Sequence, residues 1–352
     1  MSDSAAFHAQ IIESSVRVIG ATAAECLLEK HPDVKAFGVP PFAGWHEHLV
    51  GRLYELAGAM LAGEPELFGH RTEWARVAFA AHGLDVGELL ASMDAIESAL
   101  AEQLPPGGAE AAAPYIAAGR TGLTREPDAL PPFIGGPHNE ICSRYMLALL
   151  EGDRRAAIGQ VTDAVDADQL SAADAMMHVL VPVSREIGRM WHLGEIVVGE
   201  EHFMTTSATL LLGALRERLP MQSANGRAVL VGSVPGNRHD LAGRIAGLML
   251  ESAGWRVIDL GAETPSQDLV RAVQDFRADV LLLGAMLTTH VEPARKTIAL
   301  LRASEHTANA VVIVGGHVFD EAPDLWKKID ADAHARTIED VVLLADTARR
   351  RD

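Results

Sequence analysis

Four short apolar runs in the last third of the chain constrain its fold more than any other feature. Val229–Val231, Val257–Leu260, Val280–Leu283 and Val311–Val314 are rich in β-branched residues and alternate with amphipathic stretches of helix length. Apolar runs alternating with helices are the sequence form of a parallel sheet covered on both faces, because each parallel crossover needs a helix and both sheet faces are then buried. Each run ends in a Gly- or Ser-containing polar loop, reading GSVPGNRHD, GAETPSQD, GAMLTTH and GGHVFD in turn. In a doubly wound sheet such loops gather at the carboxyl edge, where ligands bind.

Upstream of residue 223 the apolar period changes from strand to helix. From Tyr145 to Leu219 the pattern predicts four helices with short connections, a small bundle. Ser171 reads as an N-cap with Asp174 in the first turn, Gly194 reads as a helix stop, and Pro182 predicts a kink within the third helix. Residues 4 to 104 carry apolar positions at three- and four-residue spacing with no strand alternation, interrupted by a His31–Pro41 loop. Two Pro/Gly-rich breaks follow, at Leu104–Ala109 and, more strongly, at Glu126–Pro137. The predicted organisation is α plus α/β: an all-helical, globin-like domain over 1–130, a four-helix cap over 131–222, and a doubly wound, Rossmann-like parallel-sheet domain over 223–352.

With 352 residues there is room for two or three domains. A net charge of −18 without a basic stripe disfavours contact with nucleic acid phosphates. Cys26 and Cys142 have no CxxC spacing, which fits a reducing compartment and excludes a structural thiolate zinc site. The start lacks a signal-peptide pattern and no apolar run is long enough to span a bilayer, so a cytoplasmic protein without membrane association is expected.

The chemistry-bearing residues concentrate in the middle and C-terminal parts. Trp191 and His192 close one predicted helix, and Glu201 and His202 open the next, with nine residues between Trp191 and Glu201. His239 lies in the first strand-to-helix loop, where an imidazole can stand above the sheet edge and where Asn237 or Asp240 can hold its far ring nitrogen. The loop lacks a GxGxxG dinucleotide fingerprint. Two histidine-bearing surfaces closing on a flat, metal-containing ligand are the expectation from this layout.

Residues 223–352 resemble a cobalamin-binding domain. Asn237-x-His239, Gly284-Ala285-Met286 after the third strand and Gly315-Gly316 after the fourth carry the likeness, together with the DLGAETP segment from Asp259 to Pro265. The resemblance implies that His239 replaces the cofactor's own base as the lower cobalt ligand, while Gly315 and Gly316 keep a slot for the nucleotide tail clear. Three departures from the family pattern stand out. Asn237 replaces an acidic residue, Ala242 a glycine, and Gly284 a serine that would hydrogen-bond the displaced base.

Ahead of that domain, Trp191-x9-Glu201-His202 is similar to the cap of CarH-type light-sensing proteins. On that resemblance Trp191, Val198, Glu201 and His202 surround the adenosyl group of adenosylcobalamin, and His192 becomes the upper cobalt ligand after light cleaves the cobalt–carbon bond. An aromatic face, a polar pair and imidazole donors suit those roles chemically. An acidic helical domain in front resembles the photocobilins, which add biliverdin. His31, His46, His48, His70, His82, Arg52, Arg71, Tyr54 and Trp45 are candidates for its propionates and rings, and Cys26 for a thioether. The implied protein is a non-enzymatic light sensor, a homo-oligomer, expected as a dimer that changes in the light and signals to a downstream enzyme domain or partner. The alternative is a corrinoid methyl carrier of a methyltransferase system, for which Trp191 with Glu201-His202 has no special role. A haem or oxygen sensor built on the helical domain is a third reading.

Overall fold

The computed structural model describes residues 3–34, 40–125 and 136–348, so most of the Glu126–Pro137 break lies outside the described residues. The chain divides into two compact units. One comprises Met1–Asp128 with two later segments, Ala285–Lys296 and Gly316–Asp330; the other comprises Ala129–Gly284, Thr297–Gly315 and Ala331–Asp352. No helix among the described residues is long and apolar enough to cross a membrane.

The first unit begins with six helices: α1 (Asp3–Ser14), α2 (Val16–Lys30), α3 (Pro41–Ala62), α4 (Pro65–Ala81), α5 (Val86–Gln103) and α6 (Gly108–Thr124). Proline opens α3 and α4, where its missing N–H costs nothing. The Asp85 carboxylate caps α5 by accepting the Gly87 N–H at 2.8 Å. Trp45, Leu49, Leu53, Leu56 and Met60 form one fully buried stripe along α3, the three- and four-residue spacing seen in the sequence. The helices pair as α4 with α6, α2 with α5 and α3, and α1 with α3.

This unit also holds the turn Thr288–His290, against which α3 packs, and the short helices α15 (His317–Glu321) and α16 (Leu325–Lys328). Charged groups tie them in: Arg71 donates to Glu321 at 3.1 Å, and Lys328 reaches Glu64 at 2.6 Å. Arg71 and Glu321 are both largely buried. Burial opposes ionisation of Glu321, but a hydrogen bond from His317 and the charges of Arg71, His317 and His70 hold its carboxyl below the usual range.

In the second unit the helical part runs α7 (Asn139–Leu150), α8 (Arg154–Asp166), α9 (Ala172–Ala175), a π-helical turn (Met176–Leu180), α10 (Val181–His192) and α11 (Val198–Arg216). The segment from α9 through α10 is one winding, so four rods form the predicted bundle. Ser171 accepts the Asp174 N–H at 3.0 Å, and Gly194 ends α10 with φ +67°. Pro182 lacks an N–H and so leaves the His178 carbonyl without its helical donor. The Cys142 thiol donates to that carbonyl at 3.1 Å, and the Val181 N–H bonds back to the Met176 carbonyl, one residue beyond the α-helical partner. Cys142 thus satisfies a backbone group inside the cap.

The sheet follows: β1 (Ala228–Ser233), α12 (Leu241–Ser252), β2 (Arg256–Asp259), α13 (Ser266–Phe276), β3 (Val280–Gly284), α14 (Val291–Arg302), β4 (Val311–Gly315), β5 (Ala333–Ala335) and α17 (Ile338–Thr347). All pairings are parallel and the strand order is β2-β1-β3-β4-β5. Every residue of β1 is buried, and β3 and β4 are buried except for their last glycines. The order reverses between β1 and β3, the topological switch point at which open α/β sheets bind ligands beyond the strands' carboxyl ends. Register lines up Ser233 with Gly284, Gly284 with Gly315, and Gly315 with Ala335, a row of small residues along that edge.

Candidate functional site

The loop after β1 is built around one side chain. Asn237 is 1% exposed and pinned on all sides. Its N–H donates to Val234 O at 3.0 Å, its carbonyl accepts from Glu263 N–H at 3.0 Å, and its Nδ2 donates to Gly284 O at 3.1 Å. Its Oδ1 accepts from the backbone N–H of His239 at 3.1 Å and faces His239 Nδ1 at 3.2 Å. The two backbone partners fix the amide orientation, since a carbonyl only accepts and a backbone N–H only donates. An amide oxygen therefore faces Nδ1, which must carry the proton, and Nε2 keeps its lone pair. An aspartate could not supply the bond to the Gly284 carbonyl, which gives the Asn237 departure a structural reason.

His239 is exposed, in the loop just ahead of α12 with Asp240 at the helix N-cap. Desolvation by its surroundings pushes its pKa below the ordinary histidine value of 6.5, against the pull of the Glu201 and Asp240 charges. The neutral ring is the metal-ligating form, so proton competition is expected only in the acid range. Fewer protons are bound in the folded than in the unfolded state just below pH 6.5. Stability from this group is therefore lost as pH falls and regained as it rises. Melts of the chain against a His239→Ala variant should therefore show this contribution steady from about pH 8 to about 6.5 and declining only below it; a decline beginning above 6.5 would contradict this.

On the cap, Trp191 and His192 close α10, and Val198 and Glu201-His202 lie in the first turns of α11. Trp191 is 41% exposed, Val198 is 53% exposed and the His202 side chain is 73% exposed, whereas His192 is half-buried. Glu201 spends both carboxylate oxygens locally, on His202 Nδ1 at 2.6 Å and on the Thr205 hydroxyl at 2.6 Å. Its charge acts on His239, so the start of α11 and the loop after β1 share one electrostatic environment. The Thr205 contact is absent from the sequence reading; it sits one turn beyond Glu201, the i, i+4 spacing that could have revealed it.

Met286 lies two residues after the end of β3, and Gly316 directly follows β4. The Met286 and Leu287 N–H groups donate to the ring Nδ1 of buried His290, at 3.1 and 3.0 Å. Gly316 has φ +118°, and a Cβ there would lie 2.1 Å from the Ala285 carbonyl oxygen. Gly315 is different: a Cβ there would meet only Ala335 O, at 3.6 Å. Gly315 thus keeps space open, while Gly316 is dictated by backbone conformation. No group of three or more His, Cys, Asp or Glu is arranged to hold a metal ion among the described residues.

Comparison with known proteins decides the cofactor class. Residues 141–216 and 227–343 each match a family model described as a B12 binding domain. The chain carries a cobalamin-binding module. Its helical cap and parallel-sheet domain are the two matched segments. A corrinoid protein of Desulfitobacterium hafniense is 28% identical over 204 residues, 56% of this chain and 93% of that protein. Dimethylamine corrinoid protein 1 of Methanosarcina acetivorans is 28% identical over 180 residues, 50% of this chain and 83% of that protein. The structure of the Methanosarcina barkeri monomethylamine corrinoid protein overlays with TM-score 0.49 and 19% identity, over 58% of this chain and 97% of that one.

These relatives correct the reading of the cap. The expectation of a CarH-type or photocobilin light sensor is overturned: the curated proteins this chain resembles include corrinoid proteins, dimethylamine corrinoid proteins among them. With it go photolysis, adenosyl release, bis-histidine ligation and a light-dependent oligomer. The physical reason is local. Trp191, Glu201 and His202 sit on one helix–turn–helix, so their spacing reports that turn and not what the cap covers. The helical domain offers no marked bilin set either. Arg52 is engaged with Glu55 and the Arg71 carbonyl, Arg71 with Glu321, and Trp45 is core. Burial, then the Arg52 charge, pushes the His48 pKa to about 3. His31, His82 and Tyr54 are exposed, His46 bonds to Arg17 O at 3.0 Å, His70 is half-buried, and Cys26 is a half-buried free thiol.

Proposed function

We propose that this chain is a corrinoid carrier that holds a methyl group on cobalt between two methyltransferase partners. The observation that carries the reading is the 28% identity spanning 93% of a corrinoid protein, and the His239–Asn237 geometry supports it. A bound corrinoid supplies a cobalt centre able to accept a methyl cation equivalent and give it up again. The chain's own residues do the rest. His239 offers Nε2 as lower ligand with its tautomer held by Asn237, and the Ser233–Gly284–Gly315 edge leaves room for the nucleotide tail. Trp191 and Val198, both partly exposed, give the cap an apolar face that sheds water from a small alkyl group. A methyl group needs no polar cage, which agrees with Glu201 and His202 being closed on each other. The reading requires neither an adenosyl group nor biliverdin.

A partner enzyme is part of this proposal, because dimethylamine corrinoid proteins and a methanol:cobalamin methyltransferase complex are among the similar proteins. The test begins with protein reconstituted with cobalamin, reduced and methylated with methyl iodide. A corrinoid-dependent methyltransferase with a thiol acceptor is then added. Transfer from the protein should outrun transfer from free methylcobalamin at equal concentration, on the order of tenfold or more, because the carrier presents the group in a fixed orientation. Equal rates would remove the carrier reading.

A further inference from the structure

The loop after β3 contains a histidine to which the carrier reading gives no task. His290 is 3% exposed, and its Nδ1 accepts the N–H groups of both Met286 and Leu287, at 3.1 and 3.0 Å. A ring nitrogen that accepts must lack a proton, so the imidazole is neutral with its proton on Nε2. The His290 N–H donates to the Leu287 carbonyl at 2.9 Å and closes the turn. Two glycines seat this loop from outside. A Cβ on Gly58 of α3 would lie 3.0 Å from the Thr288 carbonyl oxygen, so the helix reaches the turn because position 58 has no side chain. A Cβ on Gly316 would lie 2.1 Å from the Ala285 carbonyl oxygen and 3.3 Å from the Ala285 nitrogen. The residue before Ala285 is Gly284, whose carbonyl accepts the Val234 N–H and Asn237 Nδ2, both at 3.1 Å. That carbonyl and the Ala285 nitrogen share one planar peptide group, so the seat of Ala285 sets the aim of the Gly284 oxygen. The boundary between the two compact units falls at this same peptide bond.

We propose that His290 is a positioning residue for the cobalt ligand: it fixes the loop after β3, the loop aims the Gly284 carbonyl at Asn237, and Asn237 holds the His239 tautomer. The inference rests on the cobalamin-binding reading and extends it to the loop after β3. Every link is a hydrogen bond or a covalent one. His290 Nδ1 holds Met286 and Leu287, the chain runs back from Met286 to Gly284, the Gly284 oxygen accepts from Asn237, and Asn237 Oδ1 faces His239. Because Gly58 seats the same turn, the front helical domain acts on the lower cobalt ligand through the chain itself.

The first readout is amide hydrogen exchange in the full chain without cofactor. His290→Leu removes the acceptor at similar size, whereas His290→Asn returns an amide oxygen close to the place of Nδ1. Met286, Leu287 and, through the Gly284 carbonyl, Val234 should lose protection roughly tenfold in His290→Leu and regain most of it in His290→Asn. Gly58→Ala, which suits a helix interior, should speed exchange at Val234 by pressing on the turn from α3. The second readout loads cobalamin onto chain labelled with nitrogen-15 histidine and reduces it to cobalt(II). A doublet in the electron paramagnetic resonance spectrum then reports histidine on cobalt, and a triplet reports the cofactor's own base. The unaltered chain and His290→Asn should give the doublet. His290→Leu should mix in the triplet and weaken cobalamin on the order of threefold to tenfold, short of the loss for a direct partner of a metal ligand. Thr288→Val removes a buried hydroxyl that has no partner among the described residues and keeps its shape, so it should leave both readouts in place. Unchanged exchange at Val234 in both His290→Leu and Gly58→Ala, or a Thr288→Val chain that reproduced the His290→Leu effects, would overturn the proposal. An unaltered chain that bound no cobalamin would remove the cobalamin reading and the proposal with it, a result visible before any variant is made.

Discussion

Replacing His239 with alanine is expected to abolish histidine ligation of cobalt and weaken cobalamin binding on the order of 100-fold or more. Loss of an outer partner of a metal ligand already costs roughly 10–100-fold, and on the proposed reading His239 is the ligand itself. The reduced, cobalt(II) form of the complex should lose the nitrogen splitting of imidazole from its electron paramagnetic resonance spectrum, and added imidazole should restore it in part. Asn237→Ala should fall within the outer-partner range and retain the splitting, because the ligand remains while its orientation is freed. Its test is separable: the pH profile of ligation should broaden, since nothing then holds the proton on Nδ1. A His239→Ala protein that kept the splitting would assign the lower ligand elsewhere.

The second large effect belongs to Gly316→Ala. At φ +118° and ψ 161° this residue occupies a backbone region that is essentially reserved for glycine. An added methyl would sit 2.1 Å from the Ala285 carbonyl oxygen, so backbone must move. Strain of this kind costs about 1–3 kcal/mol before the clash is counted, and a thermal melt of the apo-protein should shift down by several degrees. Gly315→Ala should do the reverse. Its methyl meets only an ordinary contact at 3.6 Å, so the melt should stay put while cobalamin affinity falls, because the methyl protrudes into the carboxyl-edge row. If both variants unfolded alike, the division between a conformational glycine and a space-keeping glycine would be wrong.

Much of this was legible in the sequence, for identifiable reasons. Helices with one apolar stripe, such as Trp45 to Met60, and strands with β-branched runs, such as Val311 to Val314, carry their periods openly. Strand β5 escaped because Ala333-His334-Ala335 is three residues with no β-branched side chain. The position of His239 was legible because a strand-to-helix loop announces itself. The alignment of Ser233, Gly284 and Gly315 along one edge was not, because register is a property of the sheet. The cap was misread for a related reason: residues within one turn-linked stretch are bound to be neighbours, whatever they cover. The departure at Asn237 became intelligible only once its amide and the Gly284 carbonyl were seen together.

The attachment of late loops to early helices has a consequence for how the chain is made. Arg71 waits for Glu321, 250 residues further on. At ordinary translation speeds that separation corresponds to roughly 10–50 s on the ribosome. Throughout that interval the helices α1–α6 are assembled without the segment that neutralises Arg71, and α3 without the Thr288–His290 turn. The helical domain at the front of the chain is therefore among the first parts to be synthesised and among the last to be finished. A ribosome stalled in the final strands would release a nascent chain whose earliest domain still carries an uncovered, charged seam.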